Sequence, residues 1–234
     1  MRPSAPLDPL AWALFDLDGC LVDSSRTIPA CINEGLGAVG VAPRDAATLQ
    51  WCIGPPLAAS FTRLLTEAGH PDPQDGVPLA LDAYRSAFPE LSVALTTIVE
   101  GIEDLLAAVP QRRAVVTSKP AAAARPLVAA LGLDEAFEVV HGPGLDVENE
   151  PKELTLARAL DDLDVVAPAT AVMIGDRHHD VAAGRANGTA TVGVTWGAGD
   201  RAELEDAGPD HVVDDVEDLR DLLVARAPDG AGRG

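Results

Sequence analysis

The chain has 234 residues of which 47% are apolar, enough to bury the core of one ordinary α/β domain carrying a smaller insertion, so disorder is a poor description of the bulk. Its formal net charge of −20 repels nucleic-acid backbones and anionic membrane surfaces, and any anionic ligand would have to be drawn in by local positive charge. No uncharged apolar stretch approaches a membrane span, Asp8 and Asp16 interrupt the early apolar stretch, and Cys20, Cys31 and Cys52 lack the spacing of a zinc site or disulfide framework; the expectation is a protein of the reducing cytoplasm with buried cysteines.

Residues 1 to 10 carry three prolines and the end from Ala227 is rich in Gly, Pro and Arg, so both read as loose tails. The first candidate strand, Ala11 to Phe15, runs into Asp16-Leu17-Asp18-Gly19-Cys20-Leu21-Val22-Asp23-Ser24. Asp16 and Asp18 are two apart, so on a continued strand both would point one way, and a turn at Gly19 would let them converge on one pocket. Alone, such a pair in so acidic a chain reads as loop solvation.

From about Ser24 to Thr97 the pattern turns helical. Ile28, Ile32, Leu36 and Val39 form one stripe, Leu57, Phe61, Leu64, Leu65 and Ala68 a second, and Val77, Leu81, Tyr84 and Phe88 a third. Gly54-Pro55-Pro56 joins two of these helices, either as a rigid connection or as a loop that helps choose a substrate.

Beyond the insertion, Ile102, Leu105, Leu106 and Val109 repeat at helical spacing, followed by a strand over Ala114 to Thr117. That strand ends in Thr117-Ser118-Lys119-Pro120, with proline where a helix would begin. Hydroxyls and free N–H groups there either bind phosphate oxygens or cap the helix. Leu127, Val128 and Leu131 continue that helix to Gly132, and Glu138 to Val140 is a short strand. Lys152 then opens a helix with apolar Leu154, Ala157 and Leu160, a placement unfavourable with the helix dipole.

The strand Ala171 to Ile174 ends in Gly175-Asp176-Arg177-His178-His179-Asp180, a second apolar run closed by glycine and carboxylates, and Thr191 to Thr195 is the last candidate strand. Carboxylates gathered at two strand ends are the hard oxygen ligands that Mg²⁺ takes, whereas imidazole suits other metals, so His178 and His179 read as loop formers. Strands alternating with helices predict an α/β fold, a Rossmann-like parallel sheet with helices on both faces, formed by 1–23 and 98–234, with an inserted all-helical cap over 24–97.

Read in order, these segments resemble the four motifs of the haloacid dehalogenase-like hydrolases, over Ala11 to about Val224, and most nearly the phosphoglycolate phosphatase-like group with its helical cap between the first two motifs. The first segment follows D-x-D-G-T-L-x-D-S apart from Cys20 in place of threonine, a supporting position. Thr117 matches the second motif, Lys152 the third, and Asp176 with Asp180 the fourth.

The resemblance implies a phosphatase in which Asp16 attacks phosphorus and Asp18 acts as acid and then base, with Thr117 and Lys152 steadying the phosphoryl oxygens. It further implies Mg²⁺ held by Asp16, the Asp18 carbonyl and Asp176, with Asp180 binding directly or through water. The expected partner is a small phosphorylated metabolite, with no nucleic acid or membrane, and the chain acting as a monomer or homodimer.

The rivals are a dehalogenase, which needs neither metal nor Asp18, a sugar-phosphate mutase, which would carry a histidine just after the first motif, and a non-catalytic binding module. Phosphoglycolate, a nucleoside 5′-monophosphate and a sugar phosphate all remain candidate substrates. Arg26 and Arg63 read equally as substrate contacts or surface charges, and Trp12, Trp51 and Trp196 as packing residues.

Overall fold

The apolar run Trp12–Phe15 is buried along its whole length and forms the strand β1. A strand with no solvent-facing side needs partners on both edges, which suits the interior of a parallel sheet. The computed structural model describes residues 9–144 and 150–226; residues 1–8 and those from Ala227, expected as tails, lie outside the described residues.

The elements follow in the order β1 Trp12–Phe15, β2 Val22–Asp23, α1 Thr27–Ala38, α2 Leu57–Glu67, α3 Pro73–Leu95, β3 Thr97–Ile98, α4 Ile102–Ala108, β4 Arg112–Val116 and α5 Ala121–Ala130. Then come β5 Val139–His141, α6 Lys152–Asp162, β6 Ala171–Gly175, α7 His178–Asn187, β7 Ala190–Val194, α8 Arg201–Ala207, β8 His211–Val213 and α9 Val216–Val224. Six strands form one parallel sheet in the order β5-β4-β1-β6-β7-β8. The short β2 and β3 pair with each other.

The chain divides into two compact units, the described residues within Met1–Val22 and Ile98–Gly234, and Asp23–Thr97. In the first, Trp12 and Leu14 from β1, Ala114 and Val116 from β4 and Met173 from β6 pack with Leu156, Ala159 and Leu160 of α6 and Ala183 of α7. Side chains alternate along a strand, so Ala13 and Phe15 serve the opposite face, where Phe15 meets Phe137 edge to face at 6.1 Å. Removing side chains such as Leu14 and Phe15 from water contributes roughly 2–3 kcal/mol each, which is why this strand anchors the sheet.

In the second unit α3 packs on α1 and α2, with Phe61 edge-on to Tyr84 at 6.3 Å and Tyr84 stacked on Phe88 at 6.0 Å. A 3-10 turn, Ala46–Cys52, precedes Gly54-Pro55-Pro56 and α2. Arg63 stacks over Trp51 at 4.1 Å and pairs with Glu67, so both take part in packing here. The three cysteines are free and buried. Among the described residues no helix is long and apolar enough to cross a membrane.

Two readings from the sequence need correction. Leu154 is exposed, and the inward face of α6 is Lys152, Thr155, Leu156, Ala159 and Leu160. Ala68, placed on the second helical stripe, is also exposed and lies just past the end of α2, where the chain turns away from the packed face.

Candidate active site

β1 lies between β4 and β6, where the chain order of the sheet changes direction, and the crevice at the carboxyl ends of such strands is where open α/β sheets bind ligands. The register pairs Phe15 with Ile174, so β1 and β6 end side by side and release Asp16 and Asp176 at the same edge. The Asp16 N–H continues the ladder by donating to the Ile174 carbonyl at 2.8 Å.

After Asp16 the chain turns through Gly19, whose φ of +87 suits glycine, and the Gly19 N–H donates to the Val22 carbonyl at 2.8 Å. A Cβ at Gly19 would collide with Asp176 Oδ2, and one at Gly197 would collide with the same atom. Glycine at both positions is what lets two loops close around the Asp176 carboxylate. Cys20 is buried, with its thiol donating to the Ile174 carbonyl at 3.7 Å.

Backbone amides hold Asp176: the Ala198 N–H donates to Oδ2 at 2.6 Å and the Gly199 N–H at 3.4 Å, while Oδ1 is buried without a hydrogen-bond partner. Asp180 occupies the first turn of α7, where its Oδ2 accepts the Arg177 N–H at 3.0 Å and so satisfies the backbone amide at the N-cap of that helix. Arg177 and His178 are tied in turn to Glu203 of α8, at 2.9 Å and 2.5 Å. The two histidines thus open α7 at the rim of the site.

Lys152 is the first residue of α6 and is 6% exposed. Its ammonium lies 2.5 Å from Asp16 Oδ1 and also contacts Asp180 Oδ1. These two charge-assisted contacts outweigh the mild cost of a cation at a helix start. Thr117 is buried at the end of β4; its N–H donates to the His141 carbonyl at 3.0 Å and its Oγ1 accepts the Lys119 N–H at 3.1 Å. Pro120, not Thr117, stands at the N-cap of α5, so the hydroxyl braces the turn after β4.

Asp16, Asp18, Thr117, Lys152, Asp176 and Asp180 therefore all lie in the sheet-bearing unit, whereas Gly54, Pro55 and Pro56 belong to the helical unit. Sequence reasoning missed two contributors. One is the Gly197-Ala198-Gly199 loop, which acts through amides, and the other is Trp196, whose indole N–H donates to the Cys20 carbonyl at 3.1 Å and ties that loop to the first.

Asp16, Asp176 and Asp180 each offer an oxygen within 4.8 Å of the others, an arrangement that can hold a metal ion. Burial pushes the Asp16 carboxyl up to about 8 despite Lys152, and the Asp176 carboxyl up to about 6 with Asp180 adding repulsion. Burial alone would lower Lys152, but Asp16 and Asp180 outweigh it and hold the ammonium above its ordinary value. With all three carboxylates ionised, the state in which they would ligate a metal, one ammonium leaves two negative charges uncompensated. A divalent cation balances that count, and the buried, unpartnered Asp176 Oδ1 and Asp18 Oδ1 leave oxygen ligands and proton acceptors to spare.

The family model described as haloacid dehalogenase-like hydrolase matches residues 13–194. The chain is 34% identical over 213 residues to a 5'-nucleotidase of Pseudomonas aeruginosa, covering 90% of this chain and 94% of that one. It is 32% identical over 215 residues to a phosphoglycolate phosphatase of Chromobacterium violaceum, covering 89% and 94%.

It is also 33% identical over 229 residues to the tyrosine-protein kinase PtkA of Mycobacterium tuberculosis, covering 95% of this chain and 75% of that one. A solved structure of PtkA superposes with a TM-score of 0.76 at 31% identity, covering 92% and 98%. With a matching model over most of its length, and with the strand-end carboxylates on β1 and β6 that its sequence led one to expect, the chain belongs to the haloacid dehalogenase-like hydrolases.

Proposed function

We propose that this hydrolase cleaves a small phosphate monoester through an aspartyl phosphate on Asp16. The observation that carries the reading is the buried contact of Asp16 with Lys152, inside a cluster of three carboxylates, with a fourth carboxylate, Asp18, two residues along. Asp16 Oδ2 forms a bond to phosphorus while the bond from phosphorus to the ester oxygen breaks, its electron pair leaving on that oxygen. The Asp18 carboxyl gives that oxygen its proton, then takes one from the water that attacks phosphorus and releases Asp16.

Lys152 orients Asp16 and neutralises charge on the phosphoryl oxygens, and the Thr117 hydroxyl donates to another. Mg²⁺ fits the site by charge and ligand type, with Asp16, the Asp18 carbonyl, Asp176 and Asp180 as the residues that would hold it. When bound it screens the anionic nucleophile from the anionic substrate.

We assign the choice of leaving group to the helical unit Asp23–Thr97, and within it to Gly54, Pro55 and Pro56. The names of the two phosphatase relatives make phosphoglycolate and nucleoside 5′-monophosphates the first compounds to try. The test is phosphate release from these and from sugar phosphates, with Mg²⁺ and with chelator. Metal-dependent release from at least one compound supports the reading, and release from none with metal present sinks it. Substitutions at Gly54 to Pro56 are expected to reorder that panel by tenfold or so while leaving the metal requirement in place; an unchanged ranking would take the selection role away from them.

Asp176→Ala removes a carboxylate that the site would use for the metal. Half-saturating Mg²⁺ should rise at least about tenfold and kcat should fall, because the amides of Ala198 and Gly199 then hold nothing. An unchanged metal titration would show that the fourth motif has been given the wrong role.

The likeness to PtkA gives the same carboxylates a second reading, in which a protein tyrosine in place of water accepts the phosphoryl group. Incubation with labelled ATP and a tyrosine-rich polypeptide separates the two: label on tyrosine favours the kinase, and free phosphate favours the hydrolase.

A further inference from the structure

The chain contains only two lysines, Lys119 and Lys152, and all its other permanently cationic side chains are arginines. Both lysines are spent at the sheet edge, one on each carboxylate of the first loop. Lys152 meets Asp16, and Lys119 Nζ lies 2.9 Å from Asp18 Oδ2, with side-chain exposures of only 8% and 13%.

Lys119 is delivered to Asp18 by a turn with little freedom. Its N–H donates to Thr117 Oγ1 at 3.1 Å, and a Cβ at Gly142 would collide with its carbonyl oxygen, so the segment after β5 presses directly on it. The Ala121 N–H closes the same contact by donating to the Pro143 carbonyl at 3.0 Å. Asp18 for its part uses Oδ2 on Lys119 and keeps Oδ1 buried with no hydrogen-bond partner.

Resting on the phosphatase reading above, the geometry points to Lys119 as a positioning residue that fixes the Asp18 carboxyl by one oxygen so that the other is aimed at the ester oxygen for proton transfer. A compact ammonium on a braced turn suits this role, because it grips one oxygen as a point charge and leaves the second unengaged, where a guanidinium fork would tend to engage both. The two lysines thus divide the loop, one holding the attacking carboxylate and the other the carboxyl that serves the leaving group.

The test compares leaving groups. An alkyl phosphate needs a proton on its departing oxygen, whereas p-nitrophenyl phosphate releases an anion stable at neutral pH and gains little from an acid. Lys119→Met should lower kcat on the alkyl ester at least tenfold more than kcat on the aryl ester, with KM for both within about threefold of the wild type. Lys119→Arg should restore part of the lost selectivity and Lys119→Gln should not, which keeps the comparison available if the methionine variant folds poorly.

A rise in KM with kcat preserved, for both esters, would make Lys119 a substrate-binding residue and overturn the inference. So would an equal loss of kcat on the two. The alkyl ester is the best substrate of the panel above, and wild-type protein that releases phosphate from no compound of that panel in Mg²⁺ would sink the phosphatase reading itself, an outcome seen before any Lys119 variant is made.

Discussion

Asp16→Asn is expected to lower kcat by more than about a thousandfold on every substrate the wild type accepts, because an amide oxygen cannot form the bond to phosphorus that the second step then breaks. The fold should survive. Asp16 is buried beside Asp176 and Asp180, and asparagine keeps its shape while removing a carboxyl whose ionised form burial and the two neighbouring carboxylates disfavour. Thermal unfolding in chelator should therefore occur at the wild-type temperature or above it, and loss of activity together with loss of the folded state would leave the nucleophile assignment without support.

Lys152→Met is expected to fail in both respects. It removes the cation that orients Asp16 and Asp180, so kcat should fall by at least about a hundredfold. It also leaves buried carboxylates facing one another without compensation, a change of the kind that costs about 3–5 kcal/mol. In chelator that corresponds to a midpoint lower by roughly 10 °C for a chain of this size. The opposite signs of the two variants in thermal stability are the mark of a site whose anions outnumber its cations. A Lys152→Met protein as stable as the wild type in chelator would mean that the carboxylates are already neutral, and that the charge count behind the divalent-cation reading is wrong.

The sheet was legible where apolar runs ended in chemistry. Trp12–Phe15 and Ala171–Gly175 are both buried without a break, and each delivers an aspartate to the edge. The strand His211–Val213 was not legible, because three residues between acidic neighbours carry no period to read. The phase of α6 was misjudged for an instructive reason. Lys152 itself lies on the inward stripe, in series with Leu156 and Leu160 at four-residue spacing, so a lysine in an apolar phase was the available signal and Leu154 a distraction.

The grip on Asp176 was hidden in a different way. Its donors are the amides of Ala198 and Gly199, which every residue but proline possesses, and only the need for glycine at 19, 197 and 199 leaves a trace in the sequence. The Lys119 contact with Asp18 was equally hidden: nothing in the spacing links a lysine after Thr117 to Asp18 until β1 and β4 are known to be neighbours.

The most direct test of the covalent mechanism is to quench the enzyme in acid while it turns over a phosphomonoester with Mg²⁺, and to weigh the intact chain and its peptides. One phosphoryl group on the peptide that contains Asp16, lost in base and missing from Asp16→Asn, is the predicted result. Steady release of phosphate by a chain that never carries the group would contradict it, and would assign the attack on phosphorus to water.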